Sequence, residues 1–281
     1  MGDNFLMYIW HDCFVLRTAR SIFVFDFWKL PLLNKSYTTY DVLMTSQGGA
    51  EEFGDFLAQI AEDRNVYVIV SHHHKDHFNR GIFGWSRRFT SIRYILSKDT
   101  ALTSRYIFKE RTSYTGKYRL SANQITVLRP GEIYEDQAVK IHAFGSTDIG
   151  NSYVVETEGL KVFHAGDLNA WIWKDESDES EVNKALSEFK SKLSEIAKHF
   201  PEVDYAMFPV DGRLGRDWWE GASIFVRMIG VKNFIPMHFC LYQGMAQRRE
   251  YIYKATEFPL YANLERGHYC SMTEPFEKLS I

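Results

Sequence analysis

The chain has 281 residues, is 45% hydrophobic and 25% charged, and carries a net charge of −3. That length buries a large core without disulfide or metal staples, so a metal site here would be functional rather than a folding aid. The acidic balance argues against a broad nucleic-acid surface, since phosphate contacts need clustered Lys and Arg.

The chain opens with β-branched and aromatic runs, LMYIW, CFVLR and SIFVFDFW, separated by polar turns, which predicts an antiparallel meander. Phe53, Phe56, Leu57 and Ile60 recur at helical spacing and predict a helix over about 50–62. VYVIV at 66–70 and IRYIL at 92–96 follow as strands, and the text over 99–136 is harder to assign. AVKIHAF, SYVVET and LKVFHAG start a second set of strands. The spacing of Val182, Leu186, Phe189, Leu193, Ile196 and Phe200 predicts an amphipathic helix over 181–199, with Ser177, Asp178 and Ser180 as candidate caps. It either packs on a sheet or covers the site, and packing is the expectation. The strand DYAMF, a helix over about 218–228, the strand NFIP and a helix over 243–256 complete the series. Two similar halves of this order predict an α/β (α+β) fold, two mixed sheets packed face to face with helices outside. No linker-like segment interrupts it, so one domain over 1–281 is expected.

Cys13, Cys240 and Cys270 are far apart and lack C-x-x-C spacing, which suits a reducing compartment. The N-terminus does not read as an export signal, and no run reaches the roughly 18 apolar residues of a membrane span. A cytoplasmic protein with no membrane partner is expected.

Four of the ten histidines fall in SHHHKDHF (71–78), directly after the apolar strand. In an extended loop, alternate side chains point the same way, so His72 and His74 could converge on one ion. A turn at Lys75-Asp76 would send Asp76 and His77 toward a second. Imidazole and carboxylate together suit a borderline divalent cation.

H-x-H-x-D-H after a hydrophobic strand resembles the signature of the metallo-β-lactamase superfamily, whose members are four-layer αββα sandwiches with one or two metals at the sheet edge. The resemblance implies a metal-bridging aspartate, Asp167 in LKVFHAGDLN, and a late histidine, His238 in IPMHF. It also implies a third histidine for the first metal, in a loop that here reads AFGSTDIGNSYVV. That loop has no histidine, so Asp148 is the expected substitute. Together SHHHKDHF, GSTDIGNS, FHAGDLNAWIW, FPVDGRLG and IPMHF are similar to metal-dependent hydrolases of the branch that contains L-ascorbate-6-phosphate lactonase, over about residues 8–240.

On this reading one or two divalent ions, zinc first and manganese or iron as alternatives, are held by His72, His74, Asp76, His77, Asp148, Asp167 and His238. Asp76 would orient or deprotonate the attacking water, and His164 would hydrogen-bond or shuttle a proton. Asp26 and Asp211 are candidate partners for the ring N–H groups. Trp171 would wall a small-molecule pocket, and Arg213 would clamp an anionic group. The expected function is metal-dependent hydrolysis of a lactone, ester, amide or phosphodiester. A metal-binding scaffold with a decayed site is the alternative, and a nucleic-acid phosphodiesterase comes third. Homo-oligomerisation is left open by the sequence.

Overall fold

The computed structural model describes residues 4–31, 48–107, 120–239, 245–262 and 268–281. Cys240 and the start of the helix expected over 243–256 lie outside these residues. The chain divides into two compact units, Met1–Arg129 with Glu274–Ile281, and Pro130–Thr273. Each is built on one mixed sheet.

The first unit contains β1 (Phe5–Trp10), β2 (Cys13–Arg17), β3 (Ser21–Phe25), α1 (Ala50–Ala61), β4 (Asn65–Val70), β5 (Arg93–Ser97), α2 (Lys98–Thr103) and β6 (Ile125–Leu128). The C-terminal β13 (Lys278–Ser280) pairs with β1, giving a seven-stranded sheet ordered β13-β1-β2-β3-β4-β5-β6. β1, β2 and β3 form the expected antiparallel meander, and β3 to β6 run parallel. Every residue of β1, β2 and β3 is buried, as are residues 66–70 of β4. Burial on both faces explains why these strands read as continuous apolar runs rather than alternating ones.

α1 buries Phe53, Leu57 and Ala61 at four-residue intervals. Its Gly54 lies against the Trp85 indole, 2.7 Å from where a Cβ would stand, so the helix approaches closely only because no side chain is there. Trp85 belongs to a 3₁₀ stretch, Arg80–Arg87, that the sequence pattern did not reveal. Its indole N–H donates to the Ala50 carbonyl at 2.6 Å, and its ring packs on Phe27 and Phe53.

The second unit contains β7 (Ile133–Glu135), β8 (Val139–Gly145), β9 (Asn151–Thr157), β10 (Leu160–His164), α3 (Glu179–His199), β11 (Glu202–Pro209), α4 (Glu220–Met228), β12 (Gly230–Met237) and α5 (Met245–Ala262). Its sheet is ordered β12-β11-β10-β9-β8-β7, antiparallel from β7 to β10 and parallel from β10 to β12. Both sheets therefore pass from an antiparallel meander to parallel strands joined by helical crossovers, the repetition the element order suggested.

Asp178 caps α3. Its carboxylate accepts from the Glu181 N–H at 2.9 Å, and Glu181 accepts from the Asp178 N–H at 3.2 Å. α3 buries Phe189, Leu193 and Ile196 and packs on β8 and α4, as the apolar stripe predicted. Val182 and Leu186, one and two turns into the helix, stay half-buried. Among the described residues no helix is long and apolar enough to cross a membrane.

Candidate metal centre

In the first unit, the chemistry collects where parallel strands β3 and β4 end. Asp26 follows β3, Ser71 and His72 follow β4, and the Asp26 N–H donates to the Ile69 carbonyl at 3.0 Å, locking the two strand ends together. The carboxyl ends of parallel strands are the usual site of ligand chemistry in such sheets.

Hydrogen bonds assign the ring tautomers. Asp26 accepts the Ser71 N–H at 2.7 Å and the Ser71 hydroxyl at 2.5 Å. That hydroxyl has one proton and gives it to Asp26, so at 3.0 Å Ser71 Oγ accepts from Nδ1–H of His72. His77 Nδ1 donates to the same carboxylate oxygen as the Ser71 hydroxyl, Oδ2, at 2.9 Å. Both rings are therefore fixed with Nε2 as the electron-pair atom, the form a metal requires. His74 stands edge-on to His72, with ring centroids 4.6 Å apart. His77 lies 4.1 Å from His72 by the same measure, so the three rings stand together.

Two further residues join this cluster that sequence reasoning passed over. His11 and Asp12 form the two-residue turn between β1 and β2, and both side chains are fully buried. Asp12 Oδ2 is 3.2 Å from Nε2 of His77. Asp76 Oδ2 is 3.7 Å from Nε2 of His11 and 4.0 Å from Nε2 of His77.

In the second unit the same arrangement recurs. Asp167, Asp211 and His238 follow the ends of β10, β11 and β12, three neighbouring parallel strands. His238 Nδ1 donates to Asp211 Oδ2 at 2.9 Å, and its Nε2 lies 3.1 Å from Asp167 Oδ1. Burial alone would raise the Asp211 carboxyl. The hydrogen bond and charge of His238, with the Arg213 guanidinium, instead hold it well below the usual carboxylate range. Asp26 and Asp211 thus fill the ring-orienting roles expected for them.

Arg213 meets Asp211 through Nε at 2.8 Å and Nη2 at 2.5 Å, and Nη2 is 3.3 Å from His238 Nδ1. The guanidinium expected to clamp a substrate anion is spent on buttressing the Asp211–His238 pair. Trp171 donates its indole N–H to the Asp167 carbonyl at 2.8 Å and stands edge-on to the His238 ring. His164 is buried, and its Nδ1 accepts the Gly166 N–H at 3.2 Å, which ties the ring to the turn that presents Asp167. Asp148 lies in the loop after β8 and brings a carboxylate oxygen within 4.8 Å of one on Asp167. Thr147 holds that loop by donating its hydroxyl to the Asn169 carbonyl at 2.6 Å.

Four non-glycine residues of these clusters have positive φ: His11 (57°), Asp26 (44°), Trp171 (47°) and His238 (65°). Such backbone costs on the order of 1–3 kcal/mol each and persists where the surroundings over-determine it, typically at functional sites.

No family model matches the chain. It is 25% identical over 179 residues to a UPF0173 metal-dependent hydrolase of Pyrococcus furiosus, a match covering 61% of this chain and 65% of the relative, just under two thirds of its length. The solved structure of Igni18, a metallo hydrolase from Ignicoccus hospitalis, covers 100% of this chain and 99% of its own, with a TM-score of 0.59 at 15% identity. The metallo-β-lactamase fold protein YhfI of Bacillus subtilis aligns over 99% of both chains, with a TM-score of 0.55 at 10% identity. The chain has the metallo-β-lactamase fold. None of these relatives points to the lactonase-containing branch.

The donor chemistry fits a divalent metal ion of the kind named for the metal-dependent hydrolase it resembles. His77 and His238 each give Nδ1–H to a buried aspartate and turn Nε2 toward a second carboxylate, at 3.2 Å and 3.1 Å. Two electron-pair donors at that separation repel unless a proton or a cation lies between them, and ligands of one tetrahedral zinc stand about 3.3 Å apart. No sequence signal marks His11 and Asp12; their burial, in a two-residue turn where Gly or Asn is usual, is a structural fact.

Proposed function

We propose that this chain is a metal-dependent hydrolase acting on a small anionic substrate. The reading rests above all on the paired tautomer assignments, Asp26–His77 and Asp211–His238, which in both units prepare imidazole Nε2 to bind a cation. The assigned ligands are His72, His74 and Asp148 for one ion and Asp76, His77 and His238 for a second, with Asp167 shared, and the two units work as one catalytic domain. The order of these motifs along the chain, and the fold shared with relatives that span both units, support that division. Zinc is the first assignment, with manganese or iron as alternatives. The cysteine pattern supports a cytoplasmic location.

When bound, a divalent ion lowers the pKa of water from 15.7 to about 7 and stabilises charge on a substrate oxygen. Asp76, partly exposed beside His77, accepts the proton of the attacking water. Asp26 and Asp211 hold the rings in place and keep their tautomers. Trp171 and the His164-buttressed turn keep Asp167 in position.

A cavity of about 830 Å³ opens in the first unit beside His74 and Asp76. Trp28 and Phe78 give it apolar walls, while Lys29, Lys75 and Arg80 place three cations on its lining. That combination suits a carboxylate or phosphate on an apolar body, such as an acidic lactone or a phosphoester. It replaces Arg213 as the anion-recognising element.

The test is turnover of a panel of lactones, esters and bis(p-nitrophenyl) phosphate by metal-loaded protein and by Asp76→Asn. The account expects turnover that falls by about 100-fold or more in the variant. Stoichiometric metal with no turnover that depends on Asp76 would refute the hydrolase and favour a metal-holding scaffold, the alternative motivated by the histidine-free loop around Asp148.

A further inference from the structure

The superfamily pattern carried by this sequence starts its ligands at His72, yet a buried donor pair lies sixty residues earlier. We propose that the β1–β2 turn is part of the metal-binding apparatus: Asp12 supplies a carboxylate oxygen, and His11 a ring nitrogen, to the ion that Asp76 and His77 hold. The proposal rests on the functional reading above, because it adds ligands to that same ion.

Distances carry it. Asp12 Oδ2 is 3.2 Å from His77 Nε2 and 3.5 Å from His11 Nε2. Asp76 Oδ2 closes the group at 3.7 Å and 4.0 Å from His11 and His77. These separations bracket the roughly 3.3 Å expected between neighbouring ligands of one ion. All four atoms come from the first unit. The His77 tautomer is already fixed by Asp26, so its Nε2 meets the Asp12 carboxylate as an electron pair. A cation between the two converts that repulsion into two bonds.

The backbone supports the same conclusion. The turn is closed by the Trp10–Cys13 pair, and its first residue, His11, sits at φ 57°. Two-residue hairpin turns usually fill such a position with Gly, Asn or Asp. A buried histidine there carries strain that a surface turn would not need. The Tyr8 hydroxyl accepts the His11 N–H at 2.8 Å, so the strained turn is held from within the core. The His11 ring is set edge-on between Trp28 and His77, at centroid distances of 6.2 Å and 6.0 Å.

Chemistry follows from the ligand count. Asp12 adds a third carboxylate to the Asp76 and Asp167 already assigned to this ion, so its ligand set is richer in oxygen than a histidine-dominated zinc site. Oxygen-rich sets favour manganese or iron(II) relative to nitrogen- and sulfur-rich ones. This position should therefore bind Mn²⁺ more tightly, relative to Zn²⁺, than a histidine-dominated site does.

The experiment titrates the full-length, metal-free chain with Mn²⁺, reading free Mn²⁺ by electron paramagnetic resonance, for wild type, Asp12→Asn, His11→Gln and Asp148→Asn. Asp12→Asn and His11→Gln are each expected to weaken one class of Mn²⁺ site by at least ~10–100-fold. Asp148→Asn is expected to spare that class. Wild-type crystals grown with Mn²⁺ give a second readout that needs no variant: an anomalous peak about 2.0–2.6 Å from an Asp12 oxygen. Mn²⁺ affinities unchanged within two-fold in folded Asp12 and His11 variants would overturn the proposal while leaving the hydrolase reading intact. So would a peak at Asp76 and His77 that stands clear of Asp12, which also decides the matter if the variants do not fold. A wild-type chain that takes up no metal at all would overturn both.

Discussion

Replacing Asp26 with asparagine removes the group that sets the tautomers of two histidines at once. The carboxylate accepts from the Ser71 N–H (2.7 Å), the Ser71 hydroxyl (2.5 Å) and His77 Nδ1 (2.9 Å). An asparagine carbonyl can replace only part of this, and its NH₂ must face at least one donor. Two hydrogen bonds to a charged, buried acceptor contribute about 1.5–3 kcal/mol each, so Asp26→Asn should destabilise the metal-free chain by about 3–5 kcal/mol. With His77 and His72 freed to take the wrong tautomer, metal affinity should drop about 10–100-fold. Urea unfolding of metal-free protein reads the first effect and Zn²⁺ competition against a chromophoric chelator the second. A stability loss under about 0.5 kcal/mol, the range of an ordinary surface substitution, with unchanged Zn²⁺ affinity would refute the tautomer argument.

Asp211→Asn should reproduce both effects in the second unit, because Asp211 holds His238 as Asp26 holds His77; retained metal affinity in that variant would break the parallel. Trp85→Ala should cost about 3–5 kcal/mol in urea unfolding, since it empties the space between Phe27 and Phe53 and strands the Ala50 carbonyl, and a loss below about 1 kcal/mol would contradict that packing. For Asp204, burial alone would raise the carboxyl, but Lys232 and the Lys161 N–H hold it below its ordinary value. Its stabilisation is therefore complete above about pH 4 and lost as pH falls through the lowered folded value, so the Tm gap between wild type and Asp204→Asn should narrow below about pH 4. A gap constant from neutral pH down to strong acid would contradict the assignment.

Much of this was legible in the sequence, for reasons that are physical. The β1–β3 meander, β4 and α3 announce themselves because burial dictates composition: both-face burial gives the apolar runs, and one-face burial gives the Phe189–Leu193–Ile196 stripe. The metal-type residues after β4, β10 and β12 were legible because strand, turn and ligand are contiguous in each. Asp26 and Asp211 could be singled out for the same reason, as charged residues ending apolar strands.

Other elements were hidden because their cause is tertiary. The 3₁₀ stretch around Trp85 has no helical periodicity; it is held by contacts to α1 and Phe27. The partner of Arg213 was not visible, because nothing in its spacing from Asp211 distinguishes a buttress from a free clamp; the fork closes only when Asp211 turns toward His238. His11 and Asp12 read as an ordinary polar turn between strands. What marks them is burial together with a positive φ, and neither is written in composition.

The central claim is that this chain binds a divalent transition ion through the histidines and aspartates that its strand ends present. The direct measurement is metal content by mass spectrometry on protein purified without chelators or affinity metals, repeated after supplementation with Zn²⁺, Mn²⁺ and Fe²⁺. One to two equivalents of bound ion per chain, falling in His72→Ala and His238→Ala, is the predicted result. Protein that retains no transition ion and acquires none on supplementation would contradict the account.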